Sequence, residues 1–179
     1  MTGSVTLPND ADAQAVSAVQ GHHATMAHNL ASLVERLVVT AVDGRDGARA
    51  RDELVHWCRD HLVPHALAEE KAMYPAAHAT VEGRLLVDGM LAEHAVIVGL
   101  VDEVEHADHD VRAAAAGTAL VTMFRSHLAK ENDLVLPLLA GSPDVSVAEL
   151  LEGMHELLGG DADDHDADHS HGHGASHTH

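Results

Sequence analysis

A chain of 179 residues with 10 Lys and Arg against 29 Asp and Glu carries a formal net charge of −19, which excludes nucleic acid and anionic membrane as natural partners. Apolar residues make up 46% of it but include only one Trp, one Tyr and one Phe, so the core-forming material is Ala, Leu and Val, suited to helix-on-helix packing. The single cysteine excludes an intramolecular disulfide, and no run approaches the ~18 apolar residues of a membrane span or the shorter run of a signal peptide, so a cytoplasmic location is expected.

After an N-terminal arm (residues 1–11), helical periodicity begins near Asp12 and runs to Val42, where Asp43-Gly44-Arg45-Asp46-Gly47 breaks it. Its apolar stripe is Val16, Val19, His23, Met26, Leu30, Val34 and Leu37, at steps of three and four. His22 competes for the place of His23, but the stripe favours His23. A second helix is predicted from Ala48 to Tyr74, stopped by Pro75, with the stripe Leu54, Cys58, His61, His65, Ala68, Glu69 and Ala72. Pro64 should kink it or remove one backbone bond. The third begins near Thr80, a plausible N-cap, buries Val87, Met90, Leu91, His94, Ile97, Val98 and Val101, and fades in His106-Ala107-Asp108-His109-Asp110. The fourth runs from Val111 to Leu136, stops at Pro137, and has the stripe Leu120, Met123, His127, Glu131, Leu134 and Leu138. A short fifth helix, from Val145 to Leu158 within residues 141–160, has an apolar face that must cover its own bundle or a second subunit.

The expected fold is therefore all-α: an up-down-up-down four-helix bundle over residues 12–140, with a short additional C-terminal helix. Residues 161–179 are a low-complexity mixture of His, Asp, Gly and Ser, read as a disordered tail that either solubilises the chain or collects divalent ions.

Each of the four long helices carries one histidine on its apolar stripe. In an antiparallel bundle, distance along the chain from each loop converts to height at ~1.5 Å per residue. Counted from the three expected loops, His23, His65, His94 and His127 reach the core at one level, within about a turn. Two of them belong to a repeated unit: His65-Ala-Leu-Ala-Glu69 is followed six residues on by Pro75, and His127-Leu-Ala-Lys-Glu131 by Pro137. Positions four apart share a helix face, so imidazole and carboxylate can close on a shared ion. Carboxylates in an apolar core are costly without compensation, and a metal pair bridged by them removes that cost. Imidazole with carboxylate suits iron, manganese or zinc, and two bridging carboxylates favour a binuclear centre. The metal ligands expected are His23, His65, Glu69, His94, His127 and Glu131. Glu53-x-x-His56, Glu103-x-x-His106 and Glu152-x-x-His155 match the spacing of ferritin-like sites, but they lie off the stripes or near segment ends.

These residues resemble the haemerythrin family in its HHE cation-binding branch, over roughly residues 15–138: a single His23, His65 and Glu69 in HALAEEKAMYP, a single His94, and His127 and Glu131 in HLAKENDLVLP. The resemblance implies a four-helix bundle holding two iron ions with an oxo or hydroxo bridge, Glu69 and Glu131 bridging the metals. Family members carry or sense oxygen, handle nitric oxide, store or deliver iron, or decompose peroxide. Oxygen carriers have a further histidine one turn after the third-helix ligand, where this chain has Val98, and a longer spacing ending in Asp on the last helix, where it has Glu131. Fewer histidines leave more coordination to water or substrate.

The function expected is therefore reaction of a di-iron centre with peroxide or oxygen, a catalase-like detoxification in oxidative stress. The alternative is a non-enzymatic iron or zinc buffer, or a sensor of oxygen, nitric oxide or iron. His61 is read as a core-edge histidine with a fifth-ligand role open. Tyr74 is read as packing at a helix end, Glu70 as solvated, Cys58 as a small core residue, and Met26, Met90 and Met123 as filler around the site.

Overall fold

The structure is a computed structural model that describes residues 10–158. Its elements are α1 (Asp10–Val42), α2 (Ala48–Trp57), a π-helical turn π1 (Cys58–Leu62), α3 (Val63–Ala72), α4 (Tyr74–His78), α5 (Gly83–His106), α6 (Asp110–Lys130), a second π turn π2 (Glu131–Val135), α7 (Leu136–Ala140) and α8 (Val147–Leu157). No strand occurs among the described residues, and none of their helices is long and apolar enough to cross a membrane. The predicted disordered tail lies outside the described residues.

The fold is an all-α helical bundle. Contacts of α1 with α2, α2 with α5, α5 with α6 and α6 with α1 close it into a ring. The α1–α2 reversal uses Gly44 at φ 65°, a left-handed conformation that costs glycine little. This turn is tied to the α5–α6 turn at the same end: the Gly47 amide donates to Asp110 Oδ2 at 2.8 Å, and Arg51 donates to the Ala107 carbonyl at 2.7 Å. At the other end Thr80 does the capping expected of it, accepting from the Gly83 amide at 2.9 Å while donating to the Ala77 carbonyl.

The two trailing prolines act differently. Pro75 follows a real stop, α3 ending at Ala72 and the chain turning at Met73 before the short α4, whereas Pro137 does not stop its helix, which runs on through π2 into α7. A proline inside a helix lacks the N–H and crowds the carbonyl four residues back. Before Pro64 and Pro137 the chain widens into a π turn, closed by Val63 N–H to the Cys58 carbonyl and Leu136 N–H to the Glu131 carbonyl. Each π turn shifts the helical phase of what flanks it. His61 is consequently exposed, its ring 5.8 Å from Trp57, instead of sharing the face of His65. Leu134, expected on the buried stripe, is 49% exposed, while Val135 and Leu136 are buried in its place.

The apolar core is in two parts. One gathers Met26, Leu30, Leu62, Ile97, Phe124 and Leu128; the other gathers Val19, Ala68, Met73, Val87, Met90 and Val135. Along every long helix the buried His or Glu falls between residues of one part and residues of the other, so a polar layer crosses the bundle. The short C-terminal helix covers its own chain: α8 packs on α1 and α3, burying Val147 and Met154. Its N-terminus is fastened by Asp12 of α1, whose Oδ1 accepts from Ser146 Oγ and from the Ala148 amide, each at 3.0 Å.

Two glycines of α5 give a paired test. A Cβ on Gly83 would stand 2.1 Å from the Ala77 carbonyl oxygen, a backbone atom that cannot swing aside, so Gly83→Ala should cost ~1–3 kcal/mol. Gly89 meets nothing within 4 Å, so Gly89→Ala should stabilise by ~0.5–1 kcal/mol. Urea denaturation midpoints of the two variants should move in opposite directions.

Candidate metal centre

The polar layer is built from His23 of α1, His65 and Glu69 of α3, His94 of α5, His127 near the end of α6 and Glu131 at the start of π2. All six are buried, Glu131 at 0% exposure and Glu69 at 1%. Helical spacing sets the local pairs: His65 Nε2 stands 2.9 Å from Glu69 Oε1, and His127 Nε2 stands 3.6 Å from Glu131 Oε1. Across the bundle His23 Nε2 lies 3.3 Å from Glu69 Oε1 and 3.7 Å from Glu131 Oε2. His94 Nε2 lies 3.7 Å from Glu69 Oε2 and 3.0 Å from His127 Nε2.

Each carboxylate thus divides its two oxygens. Glu69 turns Oε1 to His23 and His65 and Oε2 to His94; Glu131 turns Oε1 to His127 and Oε2 to His23. The donor atoms fall into two overlapping groups that could each hold an ion: His23, His65 and Glu69, and Glu69, His94, His127 and Glu131, with one ligand atom from each residue within 4.8 Å of the others.

The outer nitrogens explain why the inner ones converge. His23 Nδ1 pairs with Asn132 Oδ1 at 2.9 Å, His94 Nδ1 with Glu70 Oε1 at 2.7 Å, and His127 Nδ1 with Glu93 Oε2 at 3.1 Å. A proton held on Nδ1 by an acceptor leaves the lone pair on Nε2, facing inward, which is the tautomer a metal requires. Glu93 is itself held by an ion pair with Lys130. Every orienting residue is the chain neighbour of a different candidate ligand. Glu70, beside Glu69, orients His94 on the next helix; Glu93, beside His94, orients His127; Asn132, beside Glu131, orients His23. A step of one residue turns about 100° around a helix, so it carries a side chain from the bundle interior to the seam with the adjacent helix.

Whether an ion fits is decided by the atoms left over. His23 Nε2, both ring nitrogens of His65, Glu69 Oε1 and Glu131 Oε2 are buried without a hydrogen-bond partner among the described residues. His65 Nε2 and Glu69 Oε1 are close at 2.9 Å, yet they are not aligned as donor and acceptor. Orphaned polar atoms of this kind are costly in a protein interior, and a cation satisfies nitrogen lone pairs and carboxylate oxygens together. The donor set fits a metal.

Without a metal, protons do part of that work. Burial opposes ionisation of Glu69, but the charges of His65 and His23 outweigh it and hold the carboxyl below its usual range. Burial likewise opposes charge on His23 and His127, but the facing Glu69 and Glu131 carboxylates raise both imidazoles above their ordinary value. Tyr74 is held in its protonated form by burial and by the Glu131 charge, and its hydroxyl donates to Glu131 Oε1 at 2.8 Å.

All six residues expected from the sequence are brought together here, and His23, not His22, enters the cluster. Tyr74 and Glu70 are corrections. Counted along an unbroken helix, Tyr74 should face away from His65, but α3 ends at Ala72 and the turn at Met73 redirects it; its hydroxyl lies 3.4 Å from both His94 Nε2 and His127 Nε2. Glu70 is not merely solvated, because it orients His94. Asn132 and Glu93 were not anticipated; their adjacency to Glu131 and His94 was the available signal. Cys58 stays outside the cluster as a buried core residue, its thiol pushed up to about 12 by burial.

The sign of the pH dependence follows. Raised imidazoles stabilise the metal-free protein below their ordinary value of 6.5, a contribution lost as pH rises through the raised folded values. The depressed Glu69 carboxyl contributes above its ordinary 4.5, and that is lost as pH falls through its folded value. The local contribution to metal-free stability is therefore greatest between about pH 4.5 and 6.5. Metal binding must displace the imidazole protons, so its affinity should climb from about pH 6 to 8. Calorimetric titration in buffers of different ionisation enthalpy should show proton release on metal binding, larger at the lower pH.

The Hemerythrin HHE cation binding domain family matches residues 14–139 of this chain. No curated protein and no solved structure matches it. With a buried layer of imidazoles and carboxylates able to hold metal, and that match across most of its length, the chain belongs to the haemerythrin HHE cation-binding family.

Proposed function

We propose that the centre holds two iron ions and that the protein reacts with hydrogen peroxide or oxygen, decomposing peroxide as a catalase does. The observation that carries a binuclear reading is the division of each carboxylate: one oxygen of Glu69 and one of Glu131 face each of two imidazole sets. His23 and His65 would serve one ion, His94 and His127 the other, with the two carboxylates shared. Iron, manganese and zinc all suit this set, and the resemblance to the haemerythrin family favours iron. A bound iron pair would supply redox chemistry and Lewis acidity at a buried site.

The chain's own residues supply positioning and a proton. Glu70, Glu93 and Asn132 hold three imidazoles in the inward-facing tautomer. Tyr74, buried and kept protonated, places an O–H beside His94, His127 and Glu131. Decomposing two peroxides to two waters and one dioxygen consumes no net protons, but it moves them between oxygens, and Tyr74 Oη is the hydroxyl placed to relay them. The full burial of the ligands favours a second reading, a closed site that buffers or senses iron or zinc.

Metal analysis separates the two first. Purified protein should contain about two irons per chain with near-ultraviolet absorption from the bridged pair; stoichiometric zinc without that absorption would sink the proposal. Glu131→Ala should lose at least one ion. Tyr74→Phe should keep its iron but evolve oxygen from peroxide ~10²-fold more slowly. An iron-replete protein that leaves peroxide untouched would instead mark the chain as a buffer or sensor.

A further inference from the structure

Three of the four candidate imidazole ligands obey one rule, and the fourth does not. Going round the ring, the chain neighbour of a ligand on one helix orients the imidazole on the next. The corresponding residue for His65 is His22, the neighbour of His23. Their ring centroids are 5.0 Å apart, but His65 Nδ1 has no hydrogen-bond partner among the described residues, although the side chain is only 4% exposed. At this place the bundle has a cavity. His22, His65 and His155 line it together with the apolar walls Val19, Leu151 and Met154, and it measures about 90 Å³. A volume of that size holds about three waters at roughly 30 Å³ each, or one small neutral molecule with a hydrogen-bonding partner of its own.

The geometry points to a binding site for a small, neutral, hydrogen-bonding oxygen species, water or hydrogen peroxide, bridging His65 Nδ1 to His22 and His155 under the roof of α8. The unpartnered buried nitrogen asks for such a molecule, because nothing among the described residues satisfies it. The net charge of −19 disfavours anions, whereas a neutral molecule is indifferent to it. His22 and His155 are exposed, while His65 reaches from the cavity to Glu69, so an occupant touches the centre through the His65 ring. His65 is thereby the one imidazole of the four whose orientation depends on the occupant and not on a fixed side chain. Occupancy by water stands independently; the identification of peroxide as the incoming molecule rests on the proposed function.

A crystal structure of the purified chain should show an ordered water within ~2.7–3.2 Å of His65 Nδ1 in this cavity. Val19→Phe should fill the space, expel that water, leave metal content unchanged and slow the peroxide-driven change in the centre's optical bands by about tenfold, the equivalent of one lost hydrogen bond. Ala18→Phe, at the exposed mouth, should slow it likewise and serves if Val19→Phe does not fold. A dry cavity, or His65 Nδ1 bonded directly to the protein, would overturn the site. An unchanged rate in both folded variants would overturn the occupant's role in orienting His65. If wild-type iron protein ignores peroxide, the proposed function fails, and the water at His65 still decides the site.

Discussion

Glu69 and Glu131 are buried side by side in the middle of an apolar bundle, and most other features of this protein compensate for that. Two carboxylates at this depth would repel each other and lose their hydration, a penalty of several kcal/mol per ion even after relaxation. Four imidazoles turn inward to face them, a tyrosine donates to one of them, and three further polar residues hold three of the imidazoles in place. The two-part core follows from the same constraint. Apolar residues fill the bundle on either side of the polar layer, and these low-dielectric surroundings strengthen every attraction within it.

The backbone makes its own adjustments. A π turn ends just before the residue preceding Pro64 and another does so before Pro137, and Glu131 is the first residue of the second. The wide turn lets the helix continue past a residue that cannot donate, so α7 carries Leu136 and Leu139 into the core. Below it, His127 and Glu131 keep the four-residue spacing of an undisturbed helix. In the other copy the π turn precedes His65, so His65 and Glu69 also lie within regular helix.

The fold class and all six central residues were legible because they depend on quantities a sequence displays: helical period, spacing within a repeat, and distance from the loops. What was not legible depends on local departures from the ideal helix. His61 and Leu134 follow from a straight helical count and are turned outward by the π turns. Tyr74 was misplaced because Pro75 announces that the helix stops but not the direction in which the chain leaves it at Met73. Glu70 and Glu93 look like solvated residues in an acidic chain until the neighbouring helix is in place. Their adjacency to ligands is meaningful only once it is known which seam each one faces.

That adjacency has a consequence for how the two halves of the centre communicate. Each of three helices both contributes a ligand and steadies the imidazole of the helix after it, so the order of one half depends on that of the other. An ion that fixes Glu69 also stills Glu70, and through it His94; fixing His94 stills Glu93, and through it His127. Order imposed at one ligand is thereby passed on to the next, and loss of one orienting side chain is felt by more than the imidazole it touches.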